Sequence, residues 1–176
     1  MRHRILRISL ITLVFSTLCL LSCGYKFGET RSEWASGNKK LAIDVFSNES
    51  HVFAAENIFT RECIAHFLKR GGYKLVTRDK AEIYLEGRII SISNRPLTRR
   101  LESAGHRLSS YDIAAKVEFK LYDKSGLLLW STTVEDKSEF LGSANAIEIR
   151  QNKNDALKRL ASEITKIAYT KLAEDF

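Results

Sequence analysis

Cys63 and His66 stand three residues apart in a stretch with helical spacing, so their side chains can face one another. A thiol activated by an imidazole is the most enzymatic chemistry such a pair offers, with Asn57 the nearest candidate for the third, orienting group. Cys63 also lies between Phe59 and Phe67 on the apolar stripe of that helix, where a free cysteine behaves as a small hydrophobe. Core packing is the stronger expectation. His51, His66 and His106 fall in unrelated segments, and no HExxH or CxxC spacing points to a metal. Gly71-Gly72 is too short to cradle a phosphate and precedes a strand. The acidic residues form no distinct pair for acid/base work. These residues predict a protein that binds rather than reacts, with no cofactor and no metal.

A different cysteine carries a covalent expectation. Arg2, Arg4 and Arg7 precede an apolar run from Ile8 to Leu21, the layout of a secretory signal. That run is shorter than the ~20 apolar residues of a membrane-spanning helix. It ends in Leu20-Leu21-Ser22-Cys23 followed by Gly24, which resembles a bacterial lipobox, Leu21 being bulkier than the usual residue there. Residues 1–22 are then the signal peptide. The Cys23 thiol receives a diacylglycerol, and its freed amine a further acyl chain such as palmitate. Each buried CH₂ contributes about 0.8 kcal/mol, so several chains make a persistent anchor. Gly24, where inner-membrane retention would favour Asp, resembles the sorting pattern of outer-membrane lipoproteins. The alternative is an ordinary secreted protein with Cys23 left bare.

The third group is basic. Between two expected strands lies Asn94 to Arg107, in which Arg95, Arg99, Arg100 and Arg107 face one acid, Glu102. Guanidinium groups offer planar, paired donors that match phosphate oxygens. Lys116 and Lys120, on the polar side of the next strand, extend the same candidate patch, while Glu118 between them suits an ordinary mixed surface. Export argues against nucleic acid, leaving a phosphorylated envelope lipid as the anion; a charged, solvated hairpin tip is the plainer reading.

The elements that must position these residues follow from periodicity. Residues 23–39 read as a lipidated N-terminus and tether, and residues 40–176 as one domain. Leu41–Phe46 alternates as a strand, and Phe53–Lys69 has the spacing of an amphipathic helix closed by Gly71-Gly72. Tyr73–Thr77 is a short strand. Ile83–Ser93, with a bulge expected at Gly87, and Tyr111–Tyr122 are longer ones. Asp123-Lys124-Ser125-Gly126 is a hairpin turn, Leu127–Glu135 the returning strand, and Ala146–Asp175 a long amphipathic helix. The predicted fold is α+β: two helices on one face of a small, mostly antiparallel four-stranded sheet, in the order β-α-β-β-β-α, with Tyr73–Thr77 as an extra short strand.

Composition sets the outer bounds. With 176 residues, 44% of them hydrophobic, the chain is long enough for one well-buried core and is neither disordered nor collagen-like. Three cysteines make no disulfide framework. The formal charge is +7, but removing residues 1–22 takes three arginines with it and leaves +4.

Several stretches, in order, resemble the lipopolysaccharide-assembly lipoprotein family, LptE. They are Cys23-Gly24-Tyr25-Lys26-Phe27-Gly28, Leu41–Asn48, Ala81–Ile89, Arg95-Pro96-Leu97 and Gly126–Trp130, with the C-terminal helix after them. Asp44 stands where such sequences often have a proline. The resemblance implies a two-helix α/β fold inside the lumen of the β-barrel LptD. There it acts as plug and assembly factor and helps lipopolysaccharide reach the outer leaflet. Beside it stands a mechanistic hypothesis from the charges themselves: Arg95, Arg99, Arg100 and Arg107, with Lys116 and Lys120, bind lipopolysaccharide, the arginines holding the lipid A phosphates. A competing reading is another outer-membrane lipoprotein adaptor of similar build, such as an activator of a peptidoglycan synthase. Co-purification of a large barrel separates the two.

Overall fold

The computed structural model describes residues 39–101 and 107–175, and for 98–101 and 107–109 the backbone alone. The proposed signal peptide, Cys23, Trp34 and His106 lie outside the described residues.

Among the described residues, six strands and two helices follow one another: β1 (Lys39–Ile43), β2 (Ser47–Asn48), α1 (Ala55–Arg70), β3 (Tyr73–Leu75), a 3₁₀ turn (Arg78–Lys80), β4 (Ile83–Leu101), β5 (Arg107–Asp123), β6 (Leu128–Leu141) and α2 (Ala146–Asp175). The sheet order is β3-β1-β4-β5-β6, with β2 also paired to β4. The fold is thus α+β, but the sheet is mixed and six-stranded rather than four-stranded and antiparallel. β1 pairs in parallel with both β3 and β4, and β2 in parallel with β4. The physical reason is that α1 returns the chain to the side of the sheet it left. β3 must therefore enter in the direction of β1, and Tyr73–Leu75 becomes a real edge strand.

Each helix takes its stripe from the predicted spacing. Phe59, Cys63 and Phe67 of α1, and Leu157, Leu160, Ala161, Ile164, Ala168 and Leu172 of α2, are buried. They cover Leu85 and Ile89 of β4, the alternating Ile113, Ala115, Val117, Phe119 and Leu121 of β5, and Trp130 and Val134 of β6. Among the described residues, the buried hydrophobic residues run from Leu41 to Leu172. Asn145 caps α2, its Oδ1 accepting from the Ile147 amide at 2.9 Å. At the other end of α2, Trp130 Nε1 donates to Asp175 Oδ2 at 2.7 Å and pins the last turn to β6. Gly71, at φ 70°, ends α1 in the left-handed region that favours glycine. In the β5–β6 turn, Asp123 Oδ1 accepts from the amides of Ser125 and Leu127 at 2.8 and 2.9 Å.

Two irregularities differ from expectation. Gly87 does not mark a bulge; the register shifts between Ile89 and Ser91, and again between Pro96 and Thr98. Gly87 instead makes room for a side chain: a Cβ there would lie 2.3 Å from Phe46 Cε2. The strand read over Leu41–Phe46 ends at Ile43, and Phe46, between β1 and β2, is buried with its ring over Gly87 of β4.

Candidate functional site

Alternation along β4, β5 and β6 leaves one face of the sheet without a helix, and that face is polar. Its residues arrange themselves in coupled groups. Arg88 bonds to Glu118 at 3.0 Å and to Glu49 at 3.1 Å, while Lys120 reaches Glu118 at 3.1 Å. Burial pushes the Glu118 carboxyl up, but the bonds from Lys120 and Arg88 outweigh it and hold the group below the usual carboxylate range. Nearer the start of β4, Arg78 bonds to Asp44 and Glu86 and stacks 3.8 Å above the Tyr84 ring. Tyr84 in turn stacks on Tyr122 across the β4–β5 pair, with ring centroids 5.1 Å apart. These are surface interactions that organise the face more than they stabilise the fold.

The predicted binding residues divide between this face and the hairpin beyond it. The segment read as a basic connection is mostly strand: β4 runs on to Leu101 and β5 begins at Arg107. Arg99 pairs with Ser109, Arg100 with Leu108 and Leu101 with Arg107, whereas β6 reaches only as far as Ser110. The three outermost residue pairs therefore form a two-stranded ribbon roughly 10 Å long beyond the third strand. Opposite residues in a pair share a face, so the backbone positions of Arg99 and Arg107 have one parity and that of Arg100 the other. Arg99, Arg100 and Arg107 thus lie on the ribbon and Arg95 on the three-stranded sheet before it, so the four do not form a single row.

Arg95 is exposed on the polar face opposite Asp112. With Ser93, Asp112, Ala114, Glu135, Asp136 and Lys137 it lines a depression of about 520 Å³. Lys137 Nζ lies 3.4 Å from Asp112 Oδ2. Lys116 is exposed, with Glu135 as its register partner, and Lys120 is tied into the Glu118 group. The positive patch is thus concentrated at Arg95 and the ribbon, and interleaved with acids further down the sheet. Sequence reasoning missed Lys137 as a neighbour of this site. The returning strand was expected to stop at Glu135, although alternation continues through Lys137 and Glu139 to Phe140.

The thiol reading loses its chemistry here. Cys63 is fully buried, and burial pushes its thiol up, away from the thiolate that a nucleophile needs. His66 packs edge-on against Tyr169 of α2, with ring centroids 5.4 Å apart. Its imidazole is pushed down, chiefly by burial and then by Arg70, Lys69 and Lys166, with Glu163 opposing. The neutral form is thus the one the helix pair accommodates. Above the ordinary value of 6.5 neither state holds the proton; below it the unfolded chain binds it first. Stability should therefore fall as pH drops through 6.5 towards the folded-state value, and His66→Gln should remove that part of the slope. Urea midpoints of both proteins at about pH 7.5 and about pH 5.5 measure it; parallel lines for the two would show that His66 titrates alike in both states.

Comparison with known proteins decides the lineage. The model of the LptE, lipopolysaccharide-assembly, family matches residues 38–172, which span the whole described sheet, α1 and all but the last three residues of α2. The chain belongs to the LptE family. As an LptE-family protein it is a lipopolysaccharide-assembly lipoprotein in the general sense, from a family that is not enzymatic. No curated protein matches its sequence. Among solved structures, it is similar to a putative lipoprotein from Caulobacter crescentus at 14% identity and TM-score 0.46, covering 74% of this chain and 88% of that one. It is similar to a minor lipoprotein from Acinetobacter baumannii at 12% identity and TM-score 0.46, covering 78% and 92%. A homolog of the neuraminyllactose-binding hemagglutinin from Helicobacter pylori gives 13% identity and TM-score 0.48, covering 80% and 94%. At these scores the structural likenesses carry no argument.

Proposed function

We propose that this LptE-family chain is held to the periplasmic side of the outer membrane by lipid on Cys23. There it occupies the lumen of an LptD-like β-barrel, supports the barrel's assembly, and presents the arginine ribbon to lipopolysaccharide on its way to the outer leaflet. The family match over residues 38–172 carries this reading. The geometry supports it in two respects. A plug must offer polar surface to a polar lumen, and here the uncovered sheet face carries Arg88, Glu118, Lys120, Arg78 and Glu86. The ribbon reaches past the third strand, so its arginines are set apart from the body of the domain.

The domain division of the proposal is a signal peptide at 1–22, a lipidated tether at 23–39 and the folded unit at 40–176. β1 begins at Lys39, at the edge of that tether. The test is purification of the lipidated protein from membranes. One large, heat-modifiable barrel should come with it in stoichiometric amount, and Cys23→Ser should lower the yield of the complex severalfold. Recovery of a peptidoglycan synthase in place of a barrel would replace this reading with the adaptor one.

A further inference from the structure

The end of the sheet opposite the ribbon carries a second cationic surface. β1 enters there at Lys39, β4 starts there at Ile83, and β5 turns into β6 there through Asp123–Leu127. Lys40 and Lys74 are register partners on the parallel β1–β3 pair, and both are exposed. Like charges set side by side across a strand pair repel one another. Two backbone bonds extend the row: Glu82 N donates to Lys40 O at 2.8 Å, and Lys124 N donates to Glu82 O at 3.0 Å. Lys40, Lys74 and Lys124 have no ion-pair partner among the described residues. Glu82, exposed between them, is the single acid in the row.

Beside Lys124, at the turn, stand Leu127 and Leu128, 63% and 47% exposed. Lysines without ion-pair partners along this end of the sheet, with bare leucines beside the last of them, Lys124, form the arrangement that a charged lipid surface satisfies. The ammonium groups meet headgroup phosphates, and the leucines enter the headgroup–acyl boundary. The chain's own geometry agrees. Residues before Lys39 leave from this end, and the sixteen residues back to Cys23 reach at most roughly 55 Å.

We propose that Lys40, Lys74 and Lys124, with Leu127 and Leu128, dock this end of the sheet on an anionic phospholipid surface. This contact orients the domain with its arginine ribbon pointing away from the bilayer face that holds the anchor. The orientation rests on the lipid-anchor reading above; the docking itself does not, because it needs no acyl chain.

The chain from residue 24 onward contains every buried residue of the described core and lacks Cys23, so it tests the surface without an acyl chain. It should sediment with vesicles of phosphatidylglycerol and phosphatidylcholine, and not with phosphatidylcholine alone. Binding should weaken steeply between about 0.05 M and about 0.3 M salt. Each Lys→Gln change should weaken it roughly fivefold, and the triple variant Lys40→Gln, Lys74→Gln, Lys124→Gln by about a hundredfold. Independently, an environment-sensitive dye on Leu127→Cys should shift to the blue on the acidic vesicles, Cys63 being buried and silent. Unchanged binding by the triple variant, or an unshifted dye, overturns the proposal. So does loss of binding on Arg95→Ala with the triple lysine variant intact, which would move the contact to the ribbon. Should a barrel fail to co-purify while vesicle binding follows the lysines, the plug reading falls and this one stands.

Discussion

Replacing Gly87 with Ala should lower stability by about 3 kcal/mol, and with Val by more, making this among the most damaging single-residue changes in the sheet. The new Cβ would overlap the Phe46 ring, with three ring carbons between 2.3 and 2.4 Å away. A surface side chain would swing clear, but this one is held. Phe46 is 2% exposed, its ring stands edge-on to Phe119 at 5.6 Å, and its backbone amide donates to Thr60 Oγ1 at 2.9 Å. Thr60 is fixed in turn, because its hydroxyl donates to the Glu56 carbonyl at 2.7 Å. Relief would require moving the first turns of α1 or separating β2 from β4. In a domain of this size the loss corresponds to a melting temperature about 10 °C lower.

A double-mutant cycle makes the cause explicit. Phe46→Ala alone should cost about 3–5 kcal/mol through the cavity it leaves. Added to that background, Gly87→Ala should cost almost nothing, a coupling of about 2 kcal/mol or more. Additive effects, or a Gly87→Ala protein within about 0.5 kcal/mol of the parent, would show that the ring does not depend on the missing side chain.

The same position shows where the sequence is legible and where it is not. Element types came through wherever one face is apolar over several turns or residues: α1 from Phe59, Cys63 and Phe67, α2 from Leu157 to Leu172, β5 from Ile113 to Leu121. Helix α2 keeps its predicted limits, Ala146–Asp175, where the apolar spacing begins just after the Asn145 cap. What failed is set by partners distant in sequence. Nothing around Gly87 announces that Phe46 will lie upon it, so a bulge is the natural local reading. The parallel pairings of β1 and β2 depend on the path of α1, not on their own composition. The strand extensions to Leu101 and from Arg107 carry no alternating apolar signal. Of the candidate site, the arginines are legible as charge, while their distribution over two register parities is a property of pairing. Arg95 meets Asp112 because of the register between Ile83 and Leu101, which a single strand cannot reveal.

Changing Arg95, Arg99, Arg100 and Arg107 together to Ala should weaken lipopolysaccharide binding by at least a hundredfold while leaving the fold intact. Each charge-assisted bond from a guanidinium to a phosphate is worth about 1.5–3 kcal/mol, so losing even two reaches that figure. Stability should hold because the ribbon lies past the end of β6 and Arg95 is exposed. Position along the β4–β5 pair gives the graded prediction. Arg95, at the rim of the depression with Lys137 and Asp112, should matter alone, and Asp112→Asn should strengthen binding by removing the competing carboxylate. The lower sheet provides the contrast. Lys120 is bonded to Glu118, so Lys120→Gln should change binding less than twofold, the attraction already being spent within the protein. Equilibrium binding of purified lipopolysaccharide, measured beside the melting temperature of each variant, reads both. If the quadruple variant binds as the parent does, the ribbon is not where lipopolysaccharide is held. If Lys120→Gln matches its loss, the anion lies on the sheet face, and the mixed charges there are the true contact.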